Sequence, residues 1–595
     1  MDRRDLLKFG SFGAAGFLLE GLAGGILSEL YGASTNTSLK NYLLVNLFMA
    51  PARWPMDQIL KPERNSSFYP NPFIKNKFSN IGAGSFNFEL DYGTSDIGGI
   101  QFPHIWNYEV PRAGGGSRPM RELADHFLAI RGCNMILDGH FINNRRLDAP
   151  DPGGVSISGI LSDLSDRPYS GISLAGITPY MNSAAGAFNS PNGKTPVILG
   201  NEVKDYLQYL ANPFSVAAPT KDISQKAGRE LLTNLMNELG ANSRYFKTSN
   251  SNRKKAEEMM IYGLEKISTE YSAIFMKYQN LINRSLRKTN IKGVTDKVIP
   301  GLSLPFSTSV KRKENGNAYK IEDYLGTYRE RDEYLLDNDL RGIFDAAEIY
   351  ELAQQFAISE IIFKEKLSHS IVMTVGGVAN LKVGRATDEE NIVMKTIGDK
   401  VHFSYKDPKA IRKNLVTDHD PDSHEAGSLT TFLSCSLAWN AISSCLLEYI
   451  DQLKKAKIFD DTLIHVTTEF EREPAETDSG THHGVTGHSS TLICGKIEGP
   501  QVIGNIYDIS HDPNDVTPSC GTWGKGAPVA ELDHNEIVYG NIASSICKIL
   551  GISSPTPASK SLVRIDPNSK KITPLISKAK NVKFKKTHFK NSKRS

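Results

Sequence analysis

Carboxylates and imidazoles are concentrated in two short stretches of this chain, which hold five of its fourteen histidines. The first runs Thr417-Asp-His-Asp-Pro-Asp-Ser-His-Glu425. The second opens Thr467-Thr-Glu-Phe-Glu-Arg-Glu-Pro474 and resumes at Thr481-His-His-Gly-Val-Thr-Gly-His488. Imidazole nitrogen and carboxylate oxygen are ligands of zinc, manganese and iron, and carboxylates also take magnesium or calcium. Asp420 and His424 stand four apart, with Asp418, His419 and Asp422 beside them. Pro421 makes the stretch a loop, and four residues bring one carboxylate and one imidazole to a common ion. Glu469, His482, His483 and His488 could complete that shell or build a second. Two ions a few ångström apart clamp the attacking and leaving oxygens of a phosphoryl or sulfuryl centre. Arg472 would neutralise an oxyanion substrate. His140, two residues after Asp138, is a further ligand, a substrate-binding group, or a capping or core histidine. The expected shell is Asp420, His424, Glu469, His483 and His488 around a divalent ion (zinc, manganese, magnesium or calcium). The alternative is that these are solvated loop charges.

The elements around the two stretches can place them together. Phe432, Cys435, Trp439, Ile442, Leu446, Tyr449 and Leu453 form a helical seam. The turn Phe459-Asp-Asp follows, then the apolar run Leu463–Thr468. Helix, turn, buried strand and polar loop is the unit of a mostly parallel sheet flanked by helices. Sites in such sheets lie beyond the carboxyl ends of the strands, and Glu469 stands one residue past this one. Tyr42–Met49, Phe127–Arg131 and Ser370–Val375 read as further buried strands, and Asp345–Phe363 as helix. The Gly-, Asn-, Pro- and Phe-rich residues 65–118 predict long irregular loops. Residues 224–287 read as helical. Met260, Leu264, Ile267, Tyr271, Ile274, Tyr278 and Leu281 form one apolar stripe, either a helical insertion packed on the main domain or a coiled-coil seam.

The 595 residues carry a formal net charge of only +3. Residues 557–595 hold twelve Lys/Arg and one acid, Asp566, a local +11 that leaves −8 on the rest. They read as a basic, solvated and disordered tail, or as a contact for a polyanion. No nucleic-acid motif accompanies them. At the other end, Arg3-Arg4-Asp-Leu-Leu-Lys8 precedes a weakly apolar Gly/Ala-rich stretch interrupted by Glu20. This resembles a twin-arginine export signal over residues 1–34; an ordinary amphipathic helix is the alternative. Its cleavage is open, so it could remain as an anchor. The expected location is the periplasm or cell envelope, reached through the twin-arginine machinery. The six cysteines have no C-x-x-C spacing, which excludes zinc-ribbon and haem-attachment patterns.

Together these pieces resemble the exported domain-of-unknown-function family 1501, within the alkaline phosphatase/sulfatase-like superfamily. The resemblance rests on several matches. The Arg-Arg start leads into a first buried strand. Ile130-Arg131 is followed by His140-Phe141 and the stretch Ser158-Gly-Ile-Leu161. Asp422-Ser-His424 precedes a long helix, Thr468 to Pro474 carries Thr-Glu-Phe-x-Arg-x-Pro, and Gly480-Thr-His-His483-Gly follows. It implies an alkaline phosphatase-like α/β domain over residues 40–556 with the 224–287 helical insertion inside it. It also implies metal ligation by Asp422, His424, Glu469 and His483, and hydrolysis of an anionic phosphate or sulfate ester. The departures are local. Where the family has Gly-Gly-x-Asp after its first strand, this chain has Ala50-Pro-Ala-Arg-Trp-Pro, and its nearest acid is Asp57. Glu471 and Glu473 replace small residues, and His482 replaces an Asp. No hydroxyl stands out as a nucleophile, Ser156 and Ser158 being in a turn. A non-catalytic envelope protein on a degenerate version of the fold is therefore the alternative function.

Overall fold

The computed structural model describes residues 39–48, 51–58, 60, 76–80, 84–90, 94–151, 153–165, 167, 169, 171–174, 188–193, 197–199, 270–285, 309–312, 318–320, 346–376, 392–397, 400–405, 428–474, 481–507, 525–526 and 528–576.

These residues form a mixed α/β structure around one large, mostly parallel sheet. Its strands are β1 (Asn41–Phe48), β2 (Phe127–Asn134), β3 (Ile172–Leu174), β4 (Val197–Leu199), β5 (Ser370–Gly376), β6 (Thr462–Thr467), β7 (His488–Ile493), β8 (Gln501–Ile503) and β9 (Ile537–Val538). The order across the sheet is β4-β3-β5-β1-β6-β7-β2-β8, and β9 also pairs with β2. Only β7 runs against its neighbours, antiparallel to both β6 and β2. The carboxyl ends of β1, β2, β5 and β6 and the amino end of β7 therefore share one edge.

Both faces of the sheet are covered, which is why β1 reads as a near-continuous apolar run, interrupted at Asn46, rather than an alternating one. All eight of its residues are buried. Leu43, Val45 and Leu47 point into one core with Ile464, Val466, Trp439 and Tyr449. Tyr42 and Leu44 point into the other with Leu463, Leu492, Ile542 and Ile546. The first core is closed by α3 (Ala346–Lys364) and α4 (Ser428–Lys455), the second by α5 (Tyr539–Leu550). From Cys435 onward the seam predicted for α4 is buried, at Cys435, Trp439, Ile442, Leu446, Tyr449 and Leu453; the Phe432 side chain lies outside the described residues. Trp439 Nε1 donates to the Ala52 carbonyl at 3.0 Å, and Ala52 N–H to Cys435 Sγ at 3.1 Å, which pins α4 to the segment after β1.

Of the helical reading over 224–287, only 270–285 lies within the described residues, and it is helical. Tyr271, Tyr278 and Leu281 bury against the main core, where Tyr278 stacks on Phe356 at 5.4 Å and donates to Glu360 at 2.7 Å. This stretch packs on the body of the protein rather than forming a free seam. The signal-like residues 1–34 lie outside the described residues, as does the stretch 577–595.

Two expectations are corrected. Residues 94–119 are not irregular: Thr94–Ile97 pairs with Ile100–Pro103, and Glu109–Pro111 with Ser117–Pro119. Glycines close both turns, Gly98 and Gly99 at φ 61° and 83°, Gly115 and Gly116 at φ 97° and 71°. The tail also begins later than its charge suggests. Val563–Ile565 pairs with Ile572–Pro574, and Leu562, Val563, Ile572 and Ile576 are buried in the α5 core. Its apolar residues recur between the lysines, so composition alone hid them.

Among the described residues no helix is long and apolar enough to cross a membrane. The five described cysteines are buried and free.

Candidate functional site

Four of the chemistry-bearing side chains meet on the shared edge of the sheet. Beyond β6 the chain turns at Thr468, whose Oγ1 donates to the Phe470 carbonyl at 2.7 Å, and this turn presents Glu469. Beyond β2 it reaches Asp138 and then α1 (His140–Arg146), whose first residue is His140. The hairpin Glu471–Pro474/Thr481–Gly484 sets Arg472 directly opposite His483.

His140 Nδ1 lies 2.7 Å from Glu469 Oε1, and His483 Nδ1 lies 2.6 Å from Asp138 Oδ1. The two imidazoles meet edge to face, with centroids 4.6 Å apart. The Phe470 ring packs against both, at 4.6 Å from His140 and 4.2 Å from His483. The Arg472 guanidinium lies 5.1 Å from the same ring. Glu469 is only 1% exposed, the imidazoles about a fifth and Asp138 68%, so the group runs from a sealed carboxylate out to water. Burial lowers the His483 pKa to about 4, with Arg472 and His140 adding to the effect and the Asp138 bond opposing it. His483 is therefore a neutral imidazole near pH 7, the form that ligates a metal.

The supports of α1 explain its precision. Asn144 bonds Asn46 of β1, Arg146 bonds the Met135 carbonyl, and Asn143 Nδ2 donates to the Leu137 carbonyl at 2.7 Å. The hairpin is held from the other side. Glu471 Oε1 accepts the backbone N–H groups of Arg53 and Arg472, both at 3.1 Å, and Trp54 Nε1 donates to the Arg472 carbonyl at 2.6 Å. Burial raises the Glu471 pKa to about 8 against the opposing pull of Arg53. The segment after β1 thus grips the strand that carries Arg472.

The other expected residues fall in different places. Asp420, Asp422 and His424 lie outside the described residues. His488 is fully buried inside the sheet, its Nε2 3.1 Å from Ser490 Oγ and 3.3 Å from Thr467 Oγ1. Burial, then Arg53 and His465, hold its pKa well below the usual histidine range. Asp57 is sealed against Arg53 and Thr491. Ser156 caps α2 (Ile157–Leu164) by accepting Gly159 N–H at 2.9 Å, and Ser158 donates to Asp148. Arg131 holds the Gln58 and Leu60 carbonyls at 2.8 and 2.6 Å. Among the described residues no group of three or more His, Cys, Asp or Glu side chains converges as a metal shell. Donor type suits zinc or manganese, but these residues supply two carboxylate–imidazole pairs rather than a closed shell.

Sequence reasoning overlooked the Phe470 platform, the Asp138–His483 pair and the clamp from Arg53 and Trp54. The Phe of Glu-Phe-x-Arg was the available signal for the first.

Residues 423–520 match the family model described as "Protein of unknown function (DUF1501)". The match spans α4, β6, the hairpin, β7 and β8, and includes Glu469, Arg472, His483 and His488, while Asp138 and His140 precede it. The chain has no match among curated proteins.

Proposed function

We propose that this chain is an exported, metal-dependent hydrolase of phosphate or sulfate esters in the cell envelope, built on an alkaline phosphatase-like fold. The observation that carries the reading is the meeting of His140–Glu469 with His483–Asp138 at the carboxyl edge of the sheet, beside Arg472. Glu469, His140 and His483 would hold the ion, with Asp420, Asp422 and His424 contributing the remaining donors. When bound, the ion supplies Lewis-acid polarisation of the ester and a water of lowered pKa.

The protein groups have separable roles. Glu469 on His140 Nδ1 and Asp138 on His483 Nδ1 fix the tautomer and direction of each ring. Arg472 pairs with the non-bridging oxygens of the ester. Phe470 keeps the three in register and excludes water from one side. Elemental analysis of purified protein tests the reading. Bound zinc or manganese that is lost in Glu469→Ala and in His483→Ala, with the fold retained, is expected. Unchanged metal content in both variants overturns it.

A second reading draws on the sealing of Asp57 against Arg53 and on the structural use of Ser156 and Ser158. On it the chain is a non-catalytic interaction protein of the envelope. Metal binding without turnover of 4-nitrophenyl phosphate or sulfate would favour this second reading.

A further inference from the structure

Beside the paired imidazoles lies apolar surface that the fold does not use. Among the described residues six large apolar side chains are exposed, and three of them fall between residues 136 and 141: Ile136 at 64%, Leu137 at 39% and Phe141 at 54%. They flank Asp138 and His140 in the chain, none more than two residues from one or the other.

Ile136 is also strained. Its φ of 70° is left-handed, a conformation costly for a β-branched residue. The turn is fixed by Asn134, whose Oδ1 accepts the Ile136 N–H at 2.7 Å and whose Nδ2 donates to Glu536 at 2.9 Å. Glycine or asparagine would occupy that backbone at lower cost. An isoleucine whose side chain is mostly in water recovers little of the strain by packing. The patch also carries a charge, since the half-buried Arg145 guanidinium lies 6.0 Å from the Phe141 ring. Apolar surface, a cation at its border and two imidazoles beyond it match a molecule with an anionic head and a hydrocarbon chain.

We infer that the ester hydrolysed here is amphiphilic: its phosphate or sulfate group sits at His140, His483 and Arg472, and its alkyl or acyl chain lies over Ile136, Leu137 and Phe141. This rests on the proposed hydrolase site and narrows its substrate class.

Calorimetric binding to the whole chain, supplemented with manganese, tests the inference with octyl phosphate, ethyl phosphate and octyl glucoside as probes. Octyl phosphate is expected to bind at least tenfold more tightly than ethyl phosphate. That ratio is about 1.4 kcal/mol, the worth of roughly two buried methylenes. Ile136→Gly and Phe141→Ser, both at exposed positions, should bring the ratio to within about twofold while leaving ethyl phosphate affinity unchanged. Equal affinity for the two phosphates, or an octyl advantage that survives both substitutions, overturns the inference and leaves the hydrolase site standing. Octyl glucoside binding as tightly as octyl phosphate also overturns it, since the patch would then be merely greasy. Failure of both phosphates to bind overturns the inference together with the site.

Discussion

Arg53 and Asp57 form a two-point ion pair that water does not reach. The Nε–Oδ1 arm is 3.0 Å, the second arm joins the other carboxylate oxygen, and both side chains are fully buried. Thr491 of β7 bonds both partners, and the Arg53 guanidinium lies 5.3 Å from the Trp439 ring. The pair is an internal strut between the segment after β1, β7 and α4.

Breaking that strut should be costly. Asp57→Ala leaves a buried guanidinium uncompensated and is expected to lower stability by about 3–5 kcal/mol. Arg53→Met combined with Asp57→Leu should recover part of the loss, because the two changes share one contact. Urea unfolding of the single and double variants measures this. Because Asp57 is sealed, Asp57→Asn should leave metal content unchanged.

Acid should unfold this protein partly through His465. Burial, aided by Arg53, lowers its pKa from 6.5 to about 3, and its ring bridges Tyr42 Oη and Ser490 Oγ at 3.1 Å each. Between these values the unfolded chain binds the proton that the folded chain refuses. The stability His465 contributes is therefore present above pH 6.5 and is lost as pH falls toward about 3. His465→Gln should reduce the slope of stability against pH in that window by up to about 1.4 kcal/mol per pH unit. Denaturant titrations at a series of pH values give the slope directly.

Gly132 should be irreplaceable where Gly99 is not. Both have positive φ, 76° and 83°, but a Cβ on Gly132 would meet the Asn505 carbonyl oxygen at 2.5 Å and Gly526 Cα at 2.7 Å, while one on Gly99 meets nothing within 4 Å. Gly99→Ala should cost about 1 kcal/mol from the backbone alone, and Gly132→Ala distinctly more. Thermal melts of the two variants side by side check the order.

Arg472 should matter for anion binding more than for the course of its own strand. Its backbone is fixed by Trp54 and Glu471 whatever its side chain. Arg472 is only 3% exposed, so Arg472→Lys, which keeps the charge but loses the planar fork, is expected to weaken sulfate or phosphate binding by about tenfold and to lower the melting temperature by a few degrees. An unaltered anion affinity would remove Arg472 from the site.

The elements that position the site were legible because their signals are local. The apolar runs of β1, β2, β5 and β6 and the seam of α4 each declare themselves within a few turns or pleats. The hairpins of residues 94–119 were missed because glycine and proline mark turns without saying what lies between them. Within the site, Glu469 and His483 stood out by the density of acids and histidines around them. Their partners did not, because His140 is 329 residues from Glu469 and Asp138 is 345 from His483. Only the sheet brings such residues together. Nothing in Ala-Pro-Ala-Arg-Trp-Pro reveals that the Arg53 backbone N–H meets Glu471.

The reversed direction of β7 has a consequence for how such a protein can vary. The chain leaves the sheet at Thr467 and re-enters it at His488 on the same edge, so everything between is an excursion with neighbouring ends. That excursion carries Glu469, Phe470, Arg472 and His483 as one cassette. Its length can change at the hairpin without rethreading a strand, but its base cannot, because Trp54 holds the Arg472 carbonyl and Val485 packs against the α5 core.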